Sequence, residues 1–182
     1  MCYQKAKGKP SKASEEALLR ARKNTETARL GEQQTAGFLE QKDWTIVARN
    51  WRCRSLEIDL VAVRGTVLAF VEVKSSGRRP GAGGSFPLRQ LRQDKRRSMA
   101  QAARCYLVAH PHRGEIRFDL VECWLPSSER PQFRHWEGFW TPDNWGLGRG
   151  PLNGFWQNTS EPDWEVPLSH ETGTPNRPSG TP

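Results

Sequence analysis

The sequence predicts an α/β domain. Three patterns do so: a long helical stretch ahead of three consecutive strand signals, a basic amphipathic helix after them, and one more strand beyond that helix. A strand, a crossover helix and another strand in that order make a right-handed βαβ connection the natural topology. The chain has 182 residues, which accommodates one core domain with additions but not comfortably two.

Each element has a local reason. Helical periodicity runs from about Ser14, a candidate N-cap ahead of Glu15, Glu16, Ala17 and Leu18, to about Lys42, with Asn24 and Gly31 as candidate breaks. Its apolar stripe includes Ala28, Thr35, Ala36, Phe38 and Leu39. Strands are expected over residues 44–50, 56–63 and 66–74, the last two separated by Arg64-Gly65, which fits a tight turn. Residues 75–87, with Gly77, Gly81, Gly83 and Gly84, read as a mobile flap that lacks the Lys-Ser/Thr ending of a phosphate-binding loop. Leu88 to about Ala109 reads as the basic helix, with Leu91, Met99, Ala102, Ala103 and Tyr106 for its buried side. Ile116 to Trp124 alternates as a strand, and Phe133 to Trp140 reads as an additional edge strand.

The expected organisation is a basic, partly disordered extension over 1–24, the domain over 25–140, and an irregular tail over 141–182. The tail holds seven of the thirteen prolines together with Trp145, Trp156 and Trp164, which either pack back on the domain or bind a partner. Hydrophobic residues make up 35% of the chain and mean hydropathy is −0.79. No apolar run approaches the roughly 18 residues of a membrane helix, and residues 1–30 carry no secretory signal, so a soluble, cytoplasmic protein is expected. Net charge is +8: residues 1–24 carry +5, the tail −3 and the middle +6, a distribution that favours a polyanionic partner such as nucleic acid. The four cysteines show no paired spacing and read as reduced packing thiols; His110 and His112 lack companions for a zinc site.

The chemistry gathers on the second and third strands. If Arg64-Gly65 is a two-residue turn, Glu57 faces Glu72 and Asp59 faces Phe70. Period-two alternation then puts Glu57, Asp59, Glu72 and Lys74 on one face with Val61, Val63, Leu68 and Phe70. Opposed carboxylates destabilise a sheet, more so on a face that wants burial. Glu32 points with the first helix's apolar stripe and joins the cluster if that stripe packs on this face. Oxygen-rich, histidine-free donors suit Mg²⁺ or Mn²⁺, with Asp59, Glu72 and Glu57 as the metal-holding set. The competing explanation is a set of solvated acid–lysine salt bridges.

Gly31-Glu32, Ala36, Leu39, Arg49-Asn50-Trp51-Arg52, Glu57-Ile58-Asp59-Leu60, Phe70-Val71-Glu72-Val73-Lys74, Lys95 and Arg117-Phe118-Asp119-Leu120, in that order, closely resemble the YraN-like bacterial family, an uncharacterised protein family. The resemblance spans about residues 25–140. It implies a restriction-endonuclease-like α-βββ-α-β core with a mixed sheet flanked by helices, similar to the Holliday-junction resolvases among the PD-(D/E)XK nucleases. It also implies Asp59 as the motif aspartate, Glu72 and Lys74 as the E-x-K pair, Glu32 as the first-helix acid and Glu57 as an extra acid. Two positions depart from the family pattern: Leu56 and Asp43 stand where glycine is usual.

Together these readings lead to the expectation of Mg²⁺- or Mn²⁺-dependent hydrolysis of DNA phosphodiesters, with branched DNA as one substrate and a homodimer as one assembly. Asp59, Glu72, Lys74 and Glu32 are the expected catalytic residues. Arg89, Arg92, Lys95 and Arg96, with Arg97 close by, are expected to contact phosphates, against the alternative of a solvated helix exterior. Two other functions compete: a nucleic-acid-binding module without catalysis, and an adaptor that docks another protein through its Trp-rich tail.

Overall fold

The computed structural model describes residues 11–77 and 91–142 and the single residue Glu165. The elements run α1 (Lys12–Glu40), β1 (Thr45–Cys53), β2 (Leu56–Arg64), β3 (Val67–Ser76), α2 (Gln93–Ala109), β4 (Glu115–Trp124) and β5 (Gln132–Trp140). The five strands form one mixed sheet in chain order. The β1–β2, β2–β3 and β4–β5 pairs are antiparallel and β3–β4 is parallel, as a crossover through α2 requires. This is the α/β, α-βββ-α-β arrangement expected from the sequence, with Gln132–Trp140 as the additional edge strand.

α1 is one helix, unbroken at Asn24 or Gly31. Its N-cap is Ser11, not Ser14: the Ser11 hydroxyl accepts from the Ser14 backbone N–H, leaving Ser14 inside the first turn. Residues 11–26 are exposed and project past the sheet, so the expected boundary at residue 25 falls inside a helix and not at a linker. At its C-terminal end the chain reverses through Asp43, which holds φ +63. Asp is among the few side chains that tolerate this left-handed conformation. The family's usual glycine is therefore replaced at a position where the backbone shape survives.

Two apolar layers sandwich the sheet. On one side Ala36, Phe38 and Leu39 of α1 pack on Leu60, Ala62, Ala69, Val71, Val121 and Phe133. Phe38 stacks on Phe133 with ring centroids 4.5 Å apart. On the other side Met99, Ala102, Ala103 and Tyr106 of α2 cover Ile58, Val61, Leu68, Phe70 and Phe118. α2 starts at Gln93, later than expected, because Leu91 and Arg92 are non-helical and Arg92 is the extended N-cap. A third cluster, Leu91, Leu120, Trp136 and Phe139, seats the chain ahead of α2 against β4 and β5.

The hairpin turn is Gly65-Thr66, one residue later than expected, with Arg64 opposite Val67 and Gly65 at φ +58. Moving the whole turn by one residue shifts every cross-strand partner by two. Val61 thus faces Phe70, not Leu68. An even shift preserves which face each side chain takes along the paired stretch from Leu60 to Arg64 and its partners, so Glu72 and Lys74 keep the expected face, while Glu57 and Asp59 lie beyond the paired stretch.

The tail touches the sheet at one described point. Glu165 exchanges both backbone hydrogen bonds with Phe133 on β5, at 2.6 and 2.7 Å, and accepts a 2.7 Å bond from Lys42 Nζ. Trp145, Trp156 and Trp164 lie outside the described residues.

Candidate active site

The site forms where β2 and β3 part. Their ladder ends at Leu60 opposite Val71. Beyond it the Asp59 carboxylate takes over the backbone's role: Val73 N–H donates to Asp59 Oδ2 at 2.8 Å. Face alternation skips at this point, since Ile58 packs under α2 while Leu60 packs under α1. On β1, Asn50 adopts φ +48 at the same level, with Arg49 opposite Leu60 and Trp51 opposite Ile58. The Glu-Ile-Asp run is thus a distorted strand segment that turns an acid into the gap between strands.

Glu72 is 2% exposed on the α2 side. Lys74 Nζ donates to its Oε1 at 2.7 Å, and Lys95 Nζ, from the first turn of α2, stands 2.8 Å from Oε2. The second contact is an ion pair without hydrogen-bond alignment, so Oε2 is a buried acceptor with no aligned donor. Burial, the charge of Glu72 and, to a smaller degree, Glu32 push the Asp59 carboxyl up to about 7, against the opposing pull of Lys95 and the Val73 N–H. Burial also draws Lys95 down, but Glu72, Asp59 and Glu57 outweigh it and hold the ammonium above its ordinary range.

Glu32 reaches Asp59 by a different route from the one expected. The α1 stripe packs on the opposite face of the sheet from Val61 and Phe70. Glu32 acts on Asp59 from that opposite side, at the level where the strands separate. Gly31 makes this approach possible. A β-carbon there would overlap the Ser75 side chain, whose hydroxyl donates to the Thr27 carbonyl at 3.1 Å.

Of the sequence-predicted residues, Lys74 contacts Glu72, and Asp59 lies close enough to Glu72 and, more weakly, to Glu32 to be shifted by their charges. Glu57 sits at the rim, half-exposed and ion-paired to Arg52 at 3.0 Å, which sets it apart from Asp59 and Glu72. Lys95, expected among the phosphate contacts, is inside the acidic cluster. Arg92 is exposed, Arg96 half-buried and Arg97 exposed at the start of α2, while Arg89 lies outside the described residues. Among the described residues no three His, Cys, Asp or Glu side chains converge as a metal-holding group. Asp59 and Glu72 nevertheless fit a hard divalent cation by chemistry: two neighbouring carboxylates, Glu72 buried and Asp59 half-buried, the latter pushed up first by loss of water and then by the charge of Glu72, with an unaligned oxygen at Glu72 Oε2.

Sequence reasoning assigned no role to a second ionic group, on the α1 face. Asp119 is 1% exposed and accepts from Arg117 Nε and Nη2 at 2.8 and 2.9 Å, from the Gly138 N–H at 2.8 Å, and pairs with His135 Nε2 at 2.9 Å. Burial alone would raise Asp119; the bonds and charges of His135 and Arg117 outweigh it and hold the carboxyl below its ordinary range. Gly138, at φ +58, marks the bulge that brings its N–H to Asp119. The legible signal was the alternate spacing of Arg117 and Asp119 on one strand face.

Fold and site together define a class: a five-stranded mixed-sheet α/β domain with an acid–lysine cluster at the parting of its central strands. The model of the Uncharacterised protein family UPF0102 matches residues 31–123, from Gly31 through β4. A UPF0102 protein of Synechococcus sp. is 40% identical over 97 residues, 52% of this chain and 71% of its own length. One from Clavibacter michiganensis is 38% identical over 57% of this chain and 86% of its own length. One from Renibacterium salmoninarum is 36% identical over 64% of this chain and 98% of its own length. The chain belongs to the UPF0102 family, in agreement with the resemblance read from its motifs.

Proposed function

We propose that this chain is a metal-dependent endonuclease that hydrolyses DNA phosphodiesters in the cytoplasm. One observation carries the reading: two neighbouring carboxylates, the buried Glu72 and the half-buried Asp59, stand beside two lysines at the edge of an apolar layer. Clustering like charges beside a helix costs stability, and a divalent cation that these carboxylates would hold is a chemical reason to keep them.

Asp59 and Glu72 would hold Mg²⁺ or Mn²⁺, with Glu32 behind Asp59 and Glu57 at the rim. When bound, such a cation would supply positive charge to a reacting phosphodiester and make a nearby water easier to deprotonate. The Val73 N–H fixes the Asp59 carboxylate. Lys74, whose side chain is 41% exposed, can turn from Glu72 toward an attacking water and take part in its deprotonation. Lys95, 2.8 Å from Glu72 Oε2, would exchange that partner for a phosphate oxygen. Arg96 on α2 and Arg92 at its N-cap, with Arg89 earlier in the sequence, would supply phosphate contacts whose affinity falls with salt.

Labelled branched, duplex and single-stranded DNA, incubated with Mn²⁺, Mg²⁺ or EDTA, test the reading. Cleavage that needs metal and disappears in Asp59→Ala and Lys74→Ala proteins of unchanged circular dichroism is expected. Equal cleavage by those variants overturns the assignment. A second reading, a DNA-binding module without catalysis, draws on the occupation of both Glu72 oxygens by lysines. It requires salt-sensitive binding indifferent to Mg²⁺ and to loss of Lys74.

A further inference from the structure

Two cysteines that stand far apart in sequence meet in the fold. Cys53 ends β1 and faces Leu56 across the two-residue turn Arg54-Ser55, so it sits at the base of a tight hairpin. Arg54 holds φ +57 there. Cys105 lies on α2 between the buried Ala102 and Tyr106. Cys105 stands close enough to Cys53, across the seam between β1 and α2, to act on its thiol. The seam is braced next to them: Trp51, on the same face as Cys53, meets Tyr106 edge-to-face with ring centroids 5.4 Å apart, and Tyr106 also meets Phe70 at 5.6 Å. Both thiols are reduced and half-exposed, which leaves them open to a small oxidant.

We propose that Cys53 and Cys105 form a redox modification site, closed by hydrogen peroxide into a disulfide that staples α2 to the β1–β2 hairpin. One thiolate attacks a peroxide oxygen, the O–O bond breaks, and a sulfenic acid forms. The second sulfur then displaces its oxygen, so the two thiols lose two electrons and two protons and the peroxide leaves as two molecules of water. The other cysteine described, Cys123, is buried and its thiol is pushed up to about 12, which removes it from competition. The contact with Cys105 and burial also raise Cys53 above its ordinary range. Closure is therefore slow at neutral pH and accelerates as pH rises, unlike a fast peroxide sensor. The staple does not depend on the acidic cluster being a nuclease. It does act on the same helix, since α2 carries Lys95 in its first turn.

The full-length reduced protein, treated with hydrogen peroxide under native conditions, alkylated and peptide-mapped by mass spectrometry, tests this. A Cys53–Cys105 cross-link two hydrogens lighter than the reduced pair is expected, with Cys123 still alkylated. The thermal midpoint should rise by about 5 °C, since the bond closes a loop of about fifty residues. The rise should be reversed by dithiothreitol and absent from Cys53→Ser and Cys105→Ser proteins. Retention of both thiols, oxidation of each singly, or a cross-link through another cysteine in the folded wild-type protein overturns the proposal.

Discussion

Asp59 and Asp119 lie in one sheet, both largely out of water, and are displaced in opposite directions. Asp119 meets a bidentate arginine, a histidine and a backbone N–H, and its carboxyl is held below its ordinary range. Asp59 meets one backbone N–H, faces the charge of Glu72 and is pushed up to about 7. Burial is common to both, so partner chemistry decides the sign. A carboxylate surrounded by donors is a fastening. One surrounded by other carboxylates is a cost that the fold carries, and such costs concentrate at functional sites.

The contrast can be broken first at its stable end. Asp119→Ala strips the partner from Arg117 and His135 and should cost about 3–5 kcal/mol in urea unfolding, the range for removing one side of a buried ion pair. In the wild-type protein, Asp119 contributes its stability fully above the unfolded carboxyl value near 4. That contribution disappears as pH falls through its depressed native value, so the variant should lose part of the acid limb of the stability curve.

Asp59→Asn should do the reverse in EDTA. The native state prefers Asp59 protonated, so wild-type stability falls as pH rises from about 4 to about 7 and levels off above that. The variant keeps an acceptor for the Val73 N–H, should be more stable by roughly 2 kcal/mol at pH 8, and should lack this limb. A variant less stable than wild type at pH 8 would show that Asp59 is already compensated.

Gly31→Ala tests how α1 is seated. The added methyl meets Ser75 and should cost about 2 kcal/mol, as overpacking does. Combining it with Ser75→Gly should restore much of the loss; no restoration would place the strain elsewhere. Glu57→Gln marks the small end of the scale. Its ion pair with Arg52 is exposed, so chemical denaturation should move by no more than about 0.5 kcal/mol.

Much of this was legible in the sequence where a short-range period carries the information. Alternation in strands placed Glu72 and Lys74 on the face of Phe70 even though the turn lies one residue later than expected, because an even change of partners leaves each side chain on its own face. Asp59 escaped that rule, because alternation skips between Ile58 and Leu60 and turns the acid into the gap between the strands. The crossover between Val67–Ser76 and Glu115–Trp124 followed from a helix standing between two strands. Ser11 was missed as the cap because Ser14 offers the same chemistry three residues on. Asp43 carries a backbone conformation that composition alone does not reveal.

What the sequence by itself determined is the order of elements and, where the strands are regular, which side chains share a face, because both are set by neighbours within a few residues. Tertiary structure alone decided which side of the sheet each helix covers. It sent Glu32 to Asp59 from behind, drew Lys95 inward to Glu72, turned Glu57 out to Arg52, and brought Cys53 and Cys105 together. Those meetings join residues tens of positions apart, and only the packing of whole helices on the sheet sets the distances between them.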